Sequence, residues 1–448
     1  MWITKISMHT QTSAHCPALF ITAPASGEGK TTVTAALARL LTRQGKVVRV
    51  FKTGPDYLDP QILQVASKQT VVQLDLWMAG EAWCQQQLFL ASQQADLIII
   101  EGAMGMFDGQ PSSADLAARF AIPMVIVMDV KAKAQTAAVL AMGLANYRDD
   151  VQVVGLIANH CASNRHRELI ENTLPDDLPL IACLANSEQI KLPERHLGLV
   201  QAQEINTELE SLLEAGADVL AATGIEHFIV HLPPITFWEQ PLEPLPALLK
   251  NVRIAIAKDV AFSFIYQANI QLLTDMGAEL RYFSPLSDST IPAADALWLP
   301  GGYPELHAQA LADNHSLLQS VKDFHRQHKP ILAECGGLLY VLESLQSLAG
   351  DSYNMAGLLA GLGVMKARGG CQGMQTAALP EGELRGHAHH RSTSQGTPEA
   401  MCYGRRANHP APGEAIYRVG SLTASYLHLF FPSNPTAIAH LFKPAMHE

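Results

Sequence analysis

Residues 23–32, with the sequence APASGEGKTT, have the composition and spacing of a loop that binds phosphate groups. An apolar run precedes them and a helical pattern follows, so backbone N–H groups and a helix N-terminus would face the phosphates. Lys30 would reach the β- and γ-phosphates, and the Thr31 hydroxyl would ligate Mg²⁺. The strict pattern has glycine where this chain has Pro24. An ordinary glycine-rich turn is the alternative, but the context favours a nucleotide site. Its predicted residues are Gly27, Gly29, Lys30, Thr31 and Thr32.

Carboxylates follow two further predicted strands, at the ends that should lie beside this loop. The segment 52–60, KTGPDYLDP, contains Asp56 and Asp59, and the segment 101–109, EGAMGMFDG, begins with Glu101. The carboxyl ends of parallel strands form the crevice in which open α/β sheets bind ligands, and Mg²⁺ favours carboxylate oxygens together with phosphate. These acids could instead cap turns and helices. For Asp59, which precedes a proline, both interpretations stay open, whereas the position of Glu101 at the end of an apolar strand favours function.

A cysteine between a predicted strand and a predicted helix marks a second candidate site. Residues 330–340, PILAECGGLLY, place Cys335 in a tight turn that its flanking glycines permit. The N-terminus of the following helix is expected to lower the pKa of the thiol. His428, in an apolar run near the C-terminus, is the candidate base, and Gly301 and Gly302 are candidate oxyanion donors. Each signal is weak alone, but the order Gly-Gly-x-Pro-Glu, Cys-Gly-Gly, His is far more specific for nucleophilic catalysis.

Two series of buried strands, separated by helices, would position these residues. The strands are continuous apolar runs, which is typical of parallel sheets covered on both faces. The predicted strands are 18–23, 47–52, 97–101, 123–130 and 153–159, then 252–257, 296–300 and 330–333, with a helix at 31–44. The proline-rich segment 232–246 suits an extended linker. Residues 369–413, dense in Gly, His, Ser and Pro, are expected to contain loops.

The composition is that of a globular protein of more than one domain. The chain has 448 residues, of which 48% are hydrophobic and 16% charged. A formal charge of −11 argues against a nucleic-acid partner. Seven cysteines without a CxxC pair indicate a reducing cytosol rather than disulfides or a zinc ribbon. The N-terminus lacks the apolar stretch of a signal peptide, and no apolar run approaches the ~20 residues of a membrane helix. A soluble, cytoplasmic protein is expected.

Together these motifs resemble the class I glutamine amidotransferases fused to a dethiobiotin-synthetase-like ATPase, and most closely the cobyrinic acid a,c-diamide synthase family. The resemblance covers all but about the first fifteen residues. It implies two doubly wound α/β domains, a P-loop synthetase domain at 1–240 and a flavodoxin-like class I glutamine amidotransferase domain at 251–448. It also implies a carbon–nitrogen ligase of cobalamin biosynthesis, which uses ATP, Mg²⁺ and glutamine to convert the a- and c-acetate side chains of a corrin ring to amides.

The resemblance also implies roles for single residues. The Mg²⁺ ligands would be Thr31, Asp56 and Glu101, and Asn159 would contact adenine. The corrinoid would be bound by Tyr57, Leu58 and Asp59, and Asp108 would line the same site and take part in catalysis together with Lys30. Glutamine would meet Gly301 and Gly302, with Cys335 as nucleophile and His428 as base.

The chain departs from the family pattern in two places. Class I enzymes usually have Glu two residues after the base histidine, and this subfamily commonly has His, but here the residue is Phe430, so no third triad member can be assigned. The segment 385–390, RGHAHH, has Ala388 and His389 where the family usually has Glu and Phe. A metal site in this histidine cluster is disfavoured because the sequence shows no acidic or cysteine partner nearby.

The implied chemistry requires two activations. ATP would convert the carboxylate into an acyl phosphate, since hydroxide is a poor leaving group, while Cys335 forms a glutamyl thioester and frees ammonia. Another tetrapyrrole amidase, such as a cobyric acid synthase or a nickel-sirohydrochlorin a,c-diamide synthase, is the nearest alternative. A partitioning-type regulatory ATPase is an alternative from a different class, but it would leave Cys335 and His428 unexplained. The metal state of the ring and the oligomeric state, a homodimer included, stay open.

Overall fold

The computed structural model describes residues 12–186, 190, 192–195, 198–199, 201–369 and 372–444. Most of the expected N-terminal extension, and Cys371, therefore lie outside the described residues. The chain divides into two compact units between Glu243 and Pro244. No helix in the described ranges is long and apolar enough to cross a membrane.

The first unit is a parallel sheet with helices between its strands. Its strands are β1 (Ser13–Thr22), β2 (Val48–Thr53), β3 (Val72–Leu74), β4 (Leu97–Glu101), β5 (Met124–Asp129), β6 (Val153–Cys161), β7 (Leu180–Ala185), β8 (Glu194–Arg195), β9 (Gly198–Leu199) and β10 (Pro234–Trp238). Its helices are α1 (Lys30–Arg43), α2 (Asp59–Ser67), α3 (Glu81–Ser92), α4 (Ser113–Arg119), α5 (Gln135–Ala145), α6 (Asn164–Glu171), α7 (Asn206–Ala221) and α8 (Ile225–Val230), with a 3-10 turn at Ala202–Glu204. The order across the main sheet is β3–β2–β4–β1–β5–β6–β7, all parallel. The doubly wound prediction and its five strands are confirmed.

Strand β4 illustrates how the sequence produces this sheet and places a charge at its edge. Ile98, Ile99 and Ile100 are fully buried, as a strand covered by helices on both faces requires. β-Branched side chains fit a pleated surface, and each such burial contributes about 1.5–3 kcal/mol. The strand ends at Glu101, which is also fully buried. A carboxylate is thereby held at the carboxyl edge of the sheet.

The prediction of an extended linker over residues 232–246 is wrong for its first part. Residues Pro234–Trp238 form β10, which pairs antiparallel with the beginning of β1, from Ser13 opposite Trp238 to Pro17 opposite Pro234. Prolines are tolerated here because each stands at the first position or edge of a strand, where its missing N–H breaks few ladder bonds. The later prolines follow without a regular element.

The second unit combines a parallel half-sheet with an antiparallel extension. Its strands are β11 (Arg253–Ala257), β12 (Glu279–Phe283), β13 (Ala296–Leu299), β14 (Ile331–Glu334), β15 (Leu342–Gln346), β16 (Ser352–Asn354), β17 (Leu359–Met365), β18 (Gln372–Leu379), β19 (Gly382–His389), β20 (Ser392–Gln395), β21 (Cys402–Arg406), β22 (Pro412–Val419), β23 (Leu422–Ser425) and β24 (His428–Leu429). Its helices are α9 (Gln267–Asp275), α10 (Ala308–Asp313), α11 (His315–Arg326), α12 (Gly336–Val341) and α13 (Pro435–Phe442), with 3-10 turns at Pro304–His307 and Phe431–Ser433.

The order of the large sheet in this unit is β12–β11–β13–β14–β23–β22–β21–β18–β19–β24. The strands from β12 to β23 are parallel, and those from β23 onward are antiparallel. Strands β15, β16, β17 and β20 form a separate small sheet. The three strands predicted for this half, 252–257, 296–300 and 330–333, are confirmed as β11, β13 and β14.

Residues 369–413 contain loops as expected, at 396–401 and 407–411, but most of the described part of this segment is strand. β18 and β19 pair in unbroken register from Gln372 opposite His389 to Leu379 opposite Gly382. The glycines that suggested loops have packing reasons inside strands. A methyl group on Gly386 would lie 2.3 Å from the His428 carbonyl oxygen. Tertiary packing therefore overrides local propensity here.

Candidate functional site

The predicted phosphate loop turns from β1 into α1 through two glycines in the left-handed region. Gly27 has φ +83° and Gly29 has φ +97°, conformations that cost a residue with a side chain appreciable strain. A methyl group on Gly29 would also lie 2.3 Å from the Nδ2 of Asn159. That amide donates to the Glu28 carbonyl oxygen at 3.1 Å. The conformation of the loop is thus set by its two glycines and by the Asn159 amide, and the loop leads directly into the N-terminus of α1.

Lys30, the first residue of α1, spans the loop. Its Nζ donates to the carbonyl oxygens of Ala25 at 3.0 Å and Met104 at 2.7 Å. Met104 adopts φ +52°, a conformation uncommon for a residue with a side chain. Burial and the nearby Lys52 lower the pKa of the Lys30 ammonium. The ammonium group is therefore held by carbonyl dipoles, which a phosphate oxygen can replace.

The predicted acidic cluster comes together around Lys52. Its Nζ lies 2.5 Å from the Asp59 Oδ2, 2.6 Å from the Glu101 Oε1 and 3.6 Å from the Asp56 Oδ2. The Thr31 hydroxyl donates to the same Glu101 oxygen at 2.8 Å. Burial lowers the pKa of Lys52, but the three carboxylates outweigh it and raise that pKa well above its usual value. Lys52 is a buried cation at the end of an apolar strand, and the sequence interpretation gave it no role.

The two aspartates of the cluster differ in their bonds. The Asp56 Oδ1 accepts from the N–H groups of Leu58 and Asp59 at 3.0 and 3.1 Å, so that this carboxylate also caps the start of α2. Burial raises the pKa of Asp59, but the Lys52 charge and side-chain hydrogen bonds with Asp56, Lys52 and Thr31 together outweigh burial and lower it. Burial and the Asp59 charge raise the pKa of Asp56. Asp56 thus caps the turn before α2, whereas Asp59 is bonded to Lys52 and Thr31, and the roles of both toward Mg²⁺ or substrate stay predictions.

The residues proposed for Mg²⁺ pass a test of fit. The Glu101 Oε2 is buried and has no hydrogen-bond partner among the described residues, and an unpaired buried carboxylate oxygen is costly unless a ligand meets it. The Thr31 hydroxyl lies beside this carboxylate. Because Mg²⁺ usually takes only one or two protein carboxylates together with phosphate and water, these two residues are sufficient. In the described ranges no group of three or more His, Cys, Asp or Glu side chains forms a metal cage.

A cavity of about 680 Å³ lies over the loop. Its walls include most of the residues predicted for nucleotide and Mg²⁺. Among its lining residues are Gly27, Gly29, Lys30, Thr31, Thr32, Lys52, Asp56, Asp59, Asp129, Asn159 and His160.

Four predicted residues of the first unit are not among those that line this cavity, and one of them, the proposed Mg²⁺ ligand Glu101, is fully buried. Leu58 is 5% exposed and belongs to the apolar interior. Asp108 is exposed in a turn, where its Oδ2 accepts from the Gly105 N–H at 3.1 Å. Tyr57 is half-buried in the turn before α2. Their roles toward a corrinoid stay predictions, as does the contact of Asn159 with adenine.

In the second unit Cys335 stands at the turn between β14 and α12. Its φ is +48° and its ψ is −98°, so a residue with a side chain occupies the left-handed half of backbone space, at a cost of about 1–3 kcal/mol. Its N–H donates to the Ser425 carbonyl oxygen at 2.8 Å. Backbone strain of this kind clusters at functional sites. The predicted strained elbow is present.

The expectation of a lowered thiol pKa is wrong for this resting structure. Cys335 is 5% exposed, and its burial together with the Glu305 carboxylate raises the thiol pKa, outweighing the bond from the Gly336 N–H. Burial also raises the pKa of Glu305 to about 7. The helix N-terminus acts in the predicted direction but is the smaller effect. Cys335 is thus a thiol at rest and requires a base.

The two glycines after β13 lie between the nucleophile turn and the base. A methyl group on Gly301 would lie 2.1 Å from the His428 Cε1, and a methyl group on Gly336 would lie 2.9 Å from the Gly302 nitrogen. A methyl group on Gly302 would lie 2.0 Å from the Ala261 carbonyl oxygen. The structure thus brings the predicted oxyanion glycines, the helix after Cys335 and the imidazole together, in contacts that only glycine permits.

His428 is 2% exposed and begins β24, opposite His387 of β19. Burial lowers the pKa of His428 well below its usual value, and the histidines 387, 390 and 389 add to the effect. Its ring centroid lies 6.0 Å from that of Phe264. A neutral imidazole is the form that can take a proton from a thiol.

Phe430, which stands where a third triad residue would be, is fully buried, with its ring centroid 5.6 Å from that of Tyr266. The histidine segment lies beside His428 rather than apart from it. The absence of an acidic partner was wrongly inferred from the sequence, because the Glu414 Oε1 lies 3.1 Å from the His390 Nε2. His390 also stacks on Tyr426 at a centroid distance of 3.9 Å.

Glu334, immediately before the nucleophile, was also missed. It is 2% exposed, and its two oxygens accept from the Leu429 N–H and the Trp298 indole. Burial raises its pKa to about 8. A carboxylate within the apolar run PILAEC was the available signal, since such a residue is rarely buried without partners.

Two family models match the two units. Residues 19–200 match the CobQ/CobB/MinD/ParA nucleotide binding domain, and residues 253–436 match the CobB/CobQ-like glutamine amidotransferase domain. These matches define the class of protein as a glutamine amidotransferase joined to a nucleotide-binding domain.

Relatives over the full length narrow the family. The chain is 49% identical to a hydrogenobyrinate a,c-diamide synthase of Stutzerimonas stutzeri, over 97% of this chain and 100% of the relative. It is 48% identical to the enzyme of that name from Pseudomonas aeruginosa, over 97% and 99%. It is 44% identical to a cobyrinate a,c-diamide synthase of Herminiimonas arsenicoxydans, over 95% and 96%. The chain belongs to the a,c-diamide synthase family.

Proposed function

We propose that this chain uses ATP and glutamine to amidate the a- and c-acetate carboxylates of a corrin ring. The observation that supports this most is the presence of two separate sites in a chain whose relatives align over their whole length. One site is a phosphate loop with a compensated acidic cluster, and the other is a cysteine–histidine pair with glycine donors. We assign the first to a synthetase domain at 1–240 and the second to a glutaminase domain at 251–448.

The first site would activate the carboxylate. The ammonium of Lys30 would exchange its carbonyl partners for phosphate oxygens and stabilise charge during phosphoryl transfer. Lys52 adds a second buried positive charge beside the loop. The acyl phosphate made in this step carries a leaving group that ammonia can displace, whereas hydroxide in the free acid cannot leave.

Mg²⁺ would be held by Thr31 and Glu101, with Asp56, whose Oδ2 lies 3.6 Å from the Lys52 Nζ, as a third ligand. When bound, Mg²⁺ supplies positive charge to the phosphates. The chain's own part is to hold the Glu101 carboxylate next to Lys52 and to direct its free oxygen to the ligand.

The second site would release ammonia from glutamine. His428, neutral because it is buried, takes the thiol proton of Cys335. The thiolate attacks the carboxamide carbon, and the N–H groups of Gly301 and Gly302 stabilise the oxyanion. The proton then passes from the imidazole to the leaving ammonia, and water hydrolyses the thioester.

The identity of the corrinoid substrate is a more specific part of the proposal. Two of the relatives above are named for hydrogenobyrinate and one for cobyrinate, so we place hydrogenobyrinate first. Tyr57, Asp59 and Asp108 are the proposed corrinoid contacts, with Leu58 supporting them from the core. We also propose a cytoplasmic location, where free cysteines remain reduced.

The test is turnover of the purified chain with glutamine and ATP–Mg²⁺ and either hydrogenobyrinate or cobyrinate. Product mass should show two amidations, with glutamate released in equal amount. A single amidation, amidation at other side chains, or no glutamate release would contradict the proposal. The last result would also leave a regulatory ATPase as the better account.

A further inference from the structure

One buried carboxylate joins the three elements of the glutaminase site. The Glu334 Oε1 accepts from the Leu429 N–H at 2.7 Å, and its Oε2 accepts from the Trp298 indole Nε1 at 2.8 Å. Glu334 is the last residue of β14 and precedes the nucleophile Cys335. Leu429 directly follows the base His428. The same side chain therefore bonds to residues of β13 and β24, two strands other than its own.

The third element is the strand that leads to the oxyanion glycines. Trp298 lies in β13, three residues before Gly301, and is 1% exposed. β13 and β14 are parallel neighbours, with Trp298 opposite Leu332. The indole bond thus connects the glycine strand to the same carboxylate that holds the peptide after the base.

The peptide after His428 is also held from its other side. The Asn269 Nδ2 donates to the Leu429 carbonyl oxygen at 2.9 Å, and its Oδ1 accepts from the Phe431 N–H at 2.8 Å. Asn269 is 1% exposed in α9. Both polar groups of Leu429 are therefore bonded to buried side chains, which fixes the backbone that carries the imidazole.

We propose that Glu334 is a positioning residue of the glutaminase reaction, which fixes the Leu429 peptide and thereby holds His428 against Gly301. Asn269 completes the clamp from the opposite side. The clamp acts through the backbone, whereas the acid of the usual triad acts on the ring. This inference rests on the proposed function, because it assigns a role within that reaction.

The chemistry of the clamp distinguishes a carboxylate from an amide. Two N–H donors point at the two oxygens of Glu334, and both oxygens of a carboxyl group can accept. Glutamine in the same place accepts only one, since its NH₂ group would face the second donor. Glu334→Gln should therefore lose either the Leu429 bond or the Trp298 bond, while the volume of the side chain is kept.

A double substitution separates the two bonds. In Trp298→Phe the indole donor is gone, so a glutamine at 334 can turn its NH₂ group toward the ring and accept from Leu429. We expect Glu334→Gln alone to lower the kcat of glutamine hydrolysis by up to about 10²-fold, the effect of a misplacement of about 1 Å. KM for glutamine should change little. The double variant Glu334→Gln/Trp298→Phe should recover most of the loss, although two bonds have been altered.

The assay measures kcat and KM for glutamine hydrolysis, the midpoint of thermal unfolding, and amidation with ammonium salts. A role in stability alone predicts that the double variant is at least as impaired as Glu334→Gln, and that result would overturn the inference. If Glu334→Gln does not fold, the Asn269→Asp variant tests the clamp instead. It keeps the oxygen that accepts from the Phe431 N–H and removes the N–H group that donates to the Leu429 carbonyl oxygen. Full kcat in a folded Asn269→Asp chain would also overturn the clamp.

Failure of the inference and failure of the proposed function give different results. A wild-type chain that does not hydrolyse glutamine would overturn the function and the inference together. An active wild type with an equally active Glu334→Gln variant would overturn the inference alone.

Discussion

At the end of β1 the chain turns through Gly27 and Gly29 into α1, and at the end of β14 it turns through Cys335 into α12. Both turns use positive φ, but only the second gives that conformation to a residue with a side chain. The phosphate loop works through backbone N–H groups, so glycine removes both strain and bulk. At the elbow the proposed reagent is the side chain itself, and the strain would serve to present it.

The two regions also treat charge differently. Around the cavity of the first unit, the Lys52 ammonium is paired with the carboxylates of Asp59 and Glu101. In the second unit Cys335 and His428 are 5% and 2% exposed, and burial raises the pKa of the first and lowers that of the second. The first site is prepared for an anionic ligand, whereas the second is neutral at rest and develops charge only during reaction.

The largest effect is expected at the first site. Lys30→Ala should abolish amidation with glutamine and with ammonium salts alike, because activation of the carboxylate precedes attack by either nitrogen source. Glutamine hydrolysis should persist. Lys46→Ala, which changes an exposed lysine near Asp96, is the matched control and should leave both activities intact. Normal synthesis with ammonia in Lys30→Ala would show that the loop is not the activating site.

At the second site glutamine hydrolysis should depend on His428 and not on Phe430, which stands where a third triad residue would be. His428→Ala should lower glutamine hydrolysis by about 10²–10⁴-fold, the usual effect of losing a positioned acid–base group. Phe430→Leu should disturb packing but spare the chemistry, since a phenyl ring accepts no proton. Amidation with ammonia should survive in both. An equal loss in the two variants, with both chains folded, would contradict a dyad of Cys335 and His428.

A smaller effect is expected where glycine makes room for the base. Gly301→Ala would place a methyl group 2.1 Å from the His428 Cε1, so the imidazole must move. We expect about a 10²-fold loss of glutaminase kcat with ammonia-dependent amidation retained. Gly143→Ala, where nothing lies within 4 Å of the added methyl group, is the control. Unchanged glutaminase kinetics in Gly301→Ala would mean that this contact does not hold the base.

The smallest effect concerns stability. Burial and His389 lower the pKa of His387 to about 3 from its usual 6.5, so the unfolded chain binds the proton more readily than the folded one. This group's contribution to stability is present above the unfolded pKa and is lost as pH falls below 6.5. Acidification from pH 7 to pH 5 should therefore lower the free energy of unfolding by roughly 2 kcal/mol through this group.

Denaturant unfolding of the wild type and of His387→Asn at both pH values tests this. The variant should lose about 2 kcal/mol less than the wild type on acidification. Equal losses would show that His387 is protonated in the folded state as readily as in the unfolded chain.

The sequence was sufficient where continuous apolar runs end in functional residues. The strands that lead to Lys30, Glu101 and Cys335 are buried on both faces, so their sequences are continuous apolar runs that indicate buried parallel strands. It was insufficient over residues 372–406, where Gly and His suggested loops. Gly386 is a strand residue because the backbone of His428 lies against it, and no local pattern carries that information.

The functional residues also divide into those that the sequence predicted and those that it did not. Residue types at the turns predicted Cys335 and Lys30 as reagents, but the balance of pKa effects on the thiol depends on burial and on Glu305, which are set by the tertiary fold. Lys52 and Glu334 were visible only as charges within apolar strands. The partner Glu101 of Lys52 and both partners of Glu334 come from distant parts of the chain. Sequence reasoning therefore found the reagents and missed the groups that compensate or hold them.

The central claim is that activation and ammonia production belong to separate sites, and one measurement tests it most directly. Cys335→Ser is given the corrinoid, ATP–Mg²⁺, unlabelled glutamine and ¹⁵N-ammonium, with Cys402→Ser, a half-buried thiol of the same unit, as control. Mass analysis of the diamide made by the Cys335 variant should show ¹⁵N in both new amide groups. The diamide made by the control should contain amide nitrogen from glutamine. Glutamine nitrogen in the product of Cys335→Ser, or no product from ammonium, would contradict the account.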